Sequence, residues 1–135
     1  MDFVGAKAAL ICDGAILCHL RDDRPGLRYP AWWDLPGGGR EGGESPADCF
    51  LRELEEEFAL RLAPDRLHWS RAFPGMIDHR QTAWFFGGLL ARAEVAAIRL
   101  GTEGQGWRMM PLAEFLRNDR VIPAMRARTL AYLAA

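Results

Sequence analysis

Lysine is nearly absent from this chain. Lys7 is the only lysine among 17 basic side chains, which face 18 acidic ones for a net charge of -1. A chain without a basic surplus lacks the electrostatic footprint of a nucleic-acid binder. Arginine suits bidentate phosphate contacts, although a codon-composition bias would produce the same excess. Cysteine is scarce too. Cys12, Cys18 and Cys49 are odd in number and form no Cys-x-x-Cys pair. That excludes a disulfide scaffold and leads us to expect buried free thiols in a reducing cytoplasm. No apolar run approaches the ~18 residues that span a membrane. Residues 1–5 lack the basic-then-apolar pattern of a signal peptide.

What is present is ordinary globular composition: 135 residues, half of them hydrophobic. One domain over residues 1–135 is expected, long enough to bury a core. Residues 6–12 and 15–20 are apolar runs separated by Asp13-Gly14, a hairpin signal, because a two-residue primed turn needs positive φ at both central positions. Residues 21–31 read as a polar loop. Ser45-Pro46 opens the clearest helix, with serine as cap and proline in the first helical position. Asp48 stands three residues after Ser45, a weaker form of the capping box. The helix is expected to reach about Ala59. Strands are expected at 68–73, 82–90 and 107–110, with Gly87-Gly88 as a bulge in the second. A short helix is expected at 111–116 and a terminal one at 123–133. This mixture points to a mixed α/β sandwich.

On the central helix, Ala47, Phe50, Leu51, Leu54 and Phe58 form one stripe. At ~100° per residue, Glu53, Glu56 and Glu57 centre roughly 120° from it, beside the core and next to one another. From Arg40 to Glu57 there are seven acidic residues and two arginines. Like charges at this spacing repel. A hard divalent cation relieves the repulsion, and Mg²⁺ prefers oxygen ligands while keeping waters and substrate phosphates in its shell. A solvated acidic face is the alternative. Arg52 stands four residues before Glu56, placed to orient it by an i,i+4 pair. Gly37-Gly38-Gly39 precede a helix N-terminus that favours anions, or are simply a loop.

Together these residues resemble the signature of the Nudix hydrolases. Gly38, Glu44, Arg52, Glu53, Leu54, Glu56, Glu57 and Leu60 match it at the right spacing, and Trp33-Asp34-Leu35-Pro36-Gly37-Gly38 extends the likeness. The one departure is Ala59, where the family usually has a glycine that helps the chain leave the helix. The resemblance implies a Nudix fold, a mixed β-sheet α/β/α sandwich. It implies hydrolysis of a nucleoside diphosphate linked to another group, with Mg²⁺ or Mn²⁺. By that analogy Glu56 and Glu57 are primary metal ligands, and Glu53 is a ligand or the water-activating base. Glu44 supports the site, Arg52 orients a carboxylate, and the Gly37 carbonyl is an extra ligand. Glu103, in Thr102-Glu103-Gly104-Gln105-Gly106-Trp107, resembles the further acidic ligand of MutT-like enzymes; a glycine-rich surface turn is the alternative. Members are often dimers, so a homodimer stays open.

Substrate signals are thin. Trp32 or Trp33 could stack on a base, or be core residues. Arg21, Arg28, His79 and Arg80 are candidate phosphate or acid–base contacts, or solvated loop residues. His19 and His68 read as ordinary strand residues. MutT-like enzymes that remove 8-oxo-dGTP read the base with an asparagine near the start of the last helix. Met125 stands in its place here, with Asn118 nearby but off register. Three readings follow: a pyrophosphohydrolase of small nucleotides, a catalytically silent nucleotide sensor on the same fold, and an RNA 5′-end hydrolase. The intact carboxylates and absent basic surplus favour the first, with a small-molecule nucleotide as partner and neither nucleic acid nor membrane.

Overall fold

The computed structural model describes residues 2–135. The hairpin forms as the Asp13-Gly14 signal predicts. Strands β1 (Gly5–Cys12) and β2 (Ala15–Leu20) flank a turn in which both residues have positive φ, 49° and 74°. There follow β3 (Trp33–Asp34), β4 (Gly37–Gly39), helix α1 (Pro46–Phe58) and a 3₁₀ turn at Pro64–Arg66. Then come β5 (Trp69–Pro74), β6 (Thr82–Leu89), a short helix α2 (Arg92–Ala96), β7 (Gly106–Pro111), α3 (Leu112–Phe115) and α4 (Pro123–Leu133). The sequence pattern did not announce β3, β4 or α2, which are too short to show a period.

All seven strands join one mixed sheet, in which β1 and β6 run parallel and the other pairs are antiparallel. Its most consequential feature is a fork. β1 and β2 pair only beside their turn, at Ile11–Ile16 and Cys12–Ala15. Beyond it β4 takes the edge of β1, from Gly5–Gly39 to Lys7–Gly37, and β3 takes the edge of β2 at His19–Asp34 and Leu20–Trp33. Lys7 ties the fork together. Its Nζ donates to Asp34 Oδ2 at 3.1 Å, to the Leu35 carbonyl at 3.1 Å and to the Gly37 carbonyl at 3.2 Å.

Strand alternation sorts the core into two layers. Ala6, Ala8 and Leu10 of β1, Leu17 of β2 and Phe86 of β6 pack with Phe50, Leu54 and Phe58 of α1. Ala9, Ile16, Cys18 and Phe85 point to the other face, against Phe115, Ile122 and Met125. The result is a helix layer on each side of the sheet: the α/β Nudix fold expected. The α1 stripe behaves as its spacing requires, with Phe50, Leu54 and Phe58 fully buried and Ala47 and Leu51 partly so. Ser45 accepts from the Asp48 N–H at 3.1 Å, and Ala59 closes the helix in the left-handed region at φ 57°.

Two expectations need correction. Gly87-Gly88 is not a bulge, because β1 and β6 keep continuous register through Leu10–Gly88 and Ile11–Leu89. Glycine at 87 serves close packing instead: a Cβ there would come within 2.3 Å of the Tyr132 ring. The glycine triplet is neither a loop nor a cradle at the helix N-terminus. It is strand β4, lying against the side of α1 with Gly38 directly under the Glu53 carboxylate. The three cysteines are free thiols; Cys18 and Cys49 are buried and Cys12 is half-buried. Among the described residues no helix is long and apolar enough to cross a membrane.

Candidate active site

The carboxylate face of α1 looks onto the fork, and its glutamates differ in environment. Glu53 and Glu57 are largely buried, their side chains 17% and 10% exposed, whereas Glu56 is 58% exposed. Glu57 Oε1 accepts the Gly37 N–H at 2.8 Å. That contact requires glycine, since Gly37 sits at φ 123° and a Cβ there would come within 2.1 Å of the Ala6 carbonyl oxygen. Burial raises the pKa of Glu53; the Arg52 hydrogen bond works against this, and the charges of Glu57 and Glu56 add to it.

Arg52 is the hub. Its Nε donates to Glu44 Oε2 at 2.6 Å and its Nη2 to Glu44 Oε1 at 3.2 Å, a bidentate fork. Nη1 reaches Glu53 Oε1 at 3.0 Å and Glu56 Oε2 at 3.2 Å, and Nη2 also reaches the Gly39 carbonyl at 2.9 Å. The i,i+4 pair with Glu56 exists, yet the shorter bond goes to Glu44. That hydrogen bond, with the Glu41 N–H, lowers the Glu44 pKa. The same pairing raises that of Arg52.

His19, read from sequence as an ordinary strand residue, belongs to the site. It is 6% exposed, its Nδ1 lies 3.4 Å from Glu57 Oε2, and its Nε2 lies 3.0 Å from the Glu103 carbonyl. Burial lowers its pKa, but the hydrogen bond and charge of Glu57 and the Glu103 carbonyl outweigh that, and the net shift is upward. Lys7 was missed as well. A polar residue at one position of an apolar strand gives no period to read, so only the fork exposes the role of either residue. The 99–104 segment is brought to the end of α1 by backbone bonds from Arg99 to Phe58 and from Gly101 to Glu57. Glu103 thereby lines a pocket of about 460 Å³ with Glu41, Glu53, Glu56 and Glu57.

A second cavity, of about 520 Å³, adjoins it through Glu53, Glu57 and Glu103. Lys7, Arg21 and Arg128 lie on its walls, as do the apolar Leu27, Met76 and Trp84. Arg21, a candidate phosphate contact from sequence, lines this cavity with its Nη1 paired to Asp34 Oδ2 at 3.2 Å. Arg28, His79 and Arg80 do not line it, and Arg80 pairs with Asp78 at 3.0 Å. Neither do Trp32 and Trp33: Trp32 packs on Tyr29, and Trp33 pairs in β3. Met125 is buried in the core, and Asn118 accepts the Arg120 N–H at 2.8 Å.

Whether these residues suit a metal is a question of donor chemistry. Among the described residues no group of three or more His, Cys, Asp or Glu side chains is arranged to hold a metal ion by itself. Mg²⁺ does not require one, because it takes one or two carboxylates and fills its octahedron with water and phosphate oxygens. Glu53, Glu56 and Glu57 are hard oxygen donors on one helix face; burial chiefly raises the Glu53 pKa, and the charges of Glu57 and Glu56, which add to it, are what a cation would offset. The donor set therefore fits. The Gly37 carbonyl accepts from Lys7, and a carbonyl oxygen can accept twice.

The NUDIX domain family matches residues 4–131. The chain belongs to the Nudix family. Over 51 residues, 37% of this Nudix chain, it is 47% identical to the nucleoside triphosphatase NudI of Escherichia fergusonii, and the match covers 35% of that protein. The matched stretches thus span about a third of the length of such curated relatives. Among solved structures, the Nudix chain superposes on a bifunctional NMN adenylyltransferase/ADP ribose pyrophosphatase from Francisella tularensis, complexed with AMP and a Mn ion. The TM-score is 0.77 at 22% identity, covering 99% of this chain and 42% of that one. It superposes on a MutT protein from Methanosarcina mazei with TM-score 0.74 at 20% identity, covering 98% and 94%. A C. elegans Ap4A hydrolase follows at TM-score 0.70 and 16% identity, covering 96% and 98%. At these identities the superpositions establish the Nudix fold.

Proposed function

We propose that this Nudix chain hydrolyses a pyrophosphate bond in a nucleoside diphosphate linked to a second group, with Mg²⁺ or Mn²⁺ as cofactor. The observation that carries the reading is the place of Glu53, Glu57 and Glu103 on the boundary shared by an acidic pocket and a cavity lined by Lys7, Arg21 and Arg128. A polyphosphate lying across that boundary meets cationic side chains on one side and, through a metal, carboxylates on the other. Relatives named for nucleoside triphosphates, ADP-ribose and Ap4A support a small nucleotide as substrate. The free thiols are consistent with a reducing cytoplasm.

Glu53, Glu56 and Glu57 would hold the ion, with Glu103 and the Gly37 carbonyl completing the protein's share. When bound, the ion polarises phosphate oxygens, acidifies water and offsets charge on the leaving phosphate. The chain's own residues supply the rest. Arg52 fixes Glu44, Glu53 and Glu56 in one arrangement, and His19 with the Gly37 N–H fixes Glu57. Glu53 is either one of these ligands or the residue that takes a proton from an attacking water. The test is release of phosphate or pyrophosphate from a nucleotide panel with Mg²⁺. Glu56→Gln and Glu57→Gln are expected to lose most turnover while keeping the fold, and near wild-type rates in both would sink the reading. Tight binding of one nucleotide without release from any would favour the sensor.

A further inference from the structure

Arg128 is a charged side chain buried without a charged partner. It lies on α4, is 6% exposed, and lines the larger cavity. One bond holds it: Nη2 donates to the Pro74 carbonyl at 2.9 Å, with the guanidinium 5.4 Å from the centre of the Phe73 ring. No carboxylate among the described residues lies within ion-pair distance of it. Asp34 attracts it only from further away, and Asp34 is already engaged by Lys7 at 3.1 Å and Arg21 at 3.2 Å. A guanidinium carries five N–H donors and no acceptor. With one bond made, its remaining donors are left to the cavity, where something else can supply their acceptors.

The chain beside it explains what that something is. Pro74 leads directly into Gly75, Met76 and Ile77, which line the same cavity together with Leu27. Apolar side chains beside a donor fork suit a nucleobase, although Asp22, Arg24, Asp34 and Asp78 also line this cavity; Lys7, bonded to the Gly37 carbonyl beside Glu57, suits a phosphate. A fork of donors matches an edge of adjacent acceptors such as guanine O6 with N7, and one of its arms can meet O4 of uracil. It opposes the 6-amino group of adenine, which is itself a donor.

Building on the pyrophosphohydrolase reading, we propose that Arg128 is a specificity-determining residue that receives the keto edge of the substrate's nucleobase and selects keto bases over adenine. The wild-type protein is expected to turn over GTP ~10-fold or more better than ATP by kcat/KM, the discrimination one well-placed bidentate contact gives, with UTP between them. Arg128→Lys keeps the charge but loses the fork, and Arg128→Gln loses both. Each is expected to bring the ratio to within about threefold of unity. A wild-type protein without the preference, or folded variants that retain it, would overturn the proposal. Binding of GDP, UDP, ADP and inorganic pyrophosphate, followed by calorimetry without divalent metal, separates this inference from the catalytic one. If no nucleotide is hydrolysed, the hydrolase reading fails, while preferential binding of GDP or UDP over ADP still supports the role of Arg128. If Arg128→Gln weakens pyrophosphate as much as GDP, the residue holds phosphate and the proposal falls.

Discussion

Arg52 Nε lies 2.6 Å from Glu44 Oε2, and the same guanidinium spans Glu53, Glu56 and the Gly39 carbonyl. One side chain thus joins the turn before α1, the helix face and strand β4. Lysine could satisfy one of these partners but cannot present a planar fork to several. Arg52→Lys is expected to lower turnover by roughly 10–100-fold, as removal of groups that orient ligands commonly does. It should also cost about 1–3 kcal/mol of stability, because Glu44 and Glu53 lose donors. Steady-state kinetics and thermal melting measure the two effects, and unchanged kinetics would show that the hub is only structural.

Ala59 ends α1 at φ 57° and ψ 30°, with its N–H on the Glu55 carbonyl at 2.9 Å. A Cβ in the left-handed region costs about 1–2 kcal/mol. Ala59→Gly is expected to recover about 1 kcal/mol of this after the added freedom of the unfolded chain is subtracted. Melting should rise by roughly 3 °C with kinetics unchanged. A lower melting temperature would contradict the account.

Gly104 sits at φ 85°, and a Cβ there would come within 2.1 Å of His19 Nε2. Gly104→Ala therefore has to push His19 and the Glu103 backbone apart. The expected result is a stability loss of about 1–3 kcal/mol. The Mg²⁺ concentration for half-maximal activity should also increase, since Glu57 leans on His19. A variant matching the wild type in its Mg²⁺ titration would detach His19 from the site.

Away from the site, Glu94 accepts from Arg66 Nη2 at 2.6 Å and from the Ala91 N–H at 2.8 Å. The Arg66 hydrogen bond leads the causes that hold its pKa below the ordinary carboxylate range. A depressed folded-state pKa stabilises the fold above the unfolded value, and that stability is lost as pH falls through the folded value. Glu94→Gln is expected to cost about 1 kcal/mol at pH 7. It should also flatten the fall in stability on the acid side, below about pH 4.3. Chemical denaturation at pH 7, 4 and 3 reads this; a variant whose acid-side slope equals the wild type's would refute it.

Much of the fold was legible because it rests on local physics. The Asp13-Gly14 turn, the Ser45 cap and the α1 stripe each act within a few residues, and all three form as spacing and residue type dictate. The Gly87-Gly88 bulge failed for the opposite reason: the ring of Tyr132, 45 positions away in the chain, demands the small residue. β3 and β4 were hidden because two or three residues carry no period, and they exist only where β1 and β2 part.

The sequence by itself determined the carboxylate helix, its spacing, its tie through Arg52 and its family. Those features lie within one 13-residue helix and the turn before it, where 3.6 residues per turn converts order into geometry. Only the tertiary structure decided the rest of the site. It buried Glu53 and Glu57 while leaving Glu56 exposed, drew His19 and Glu103 to Glu57, and set Arg128 in the neighbouring cavity. Those contacts join residues many strands apart, and side-chain burial and pairing at such distances are properties of packing, not of any stretch of the chain.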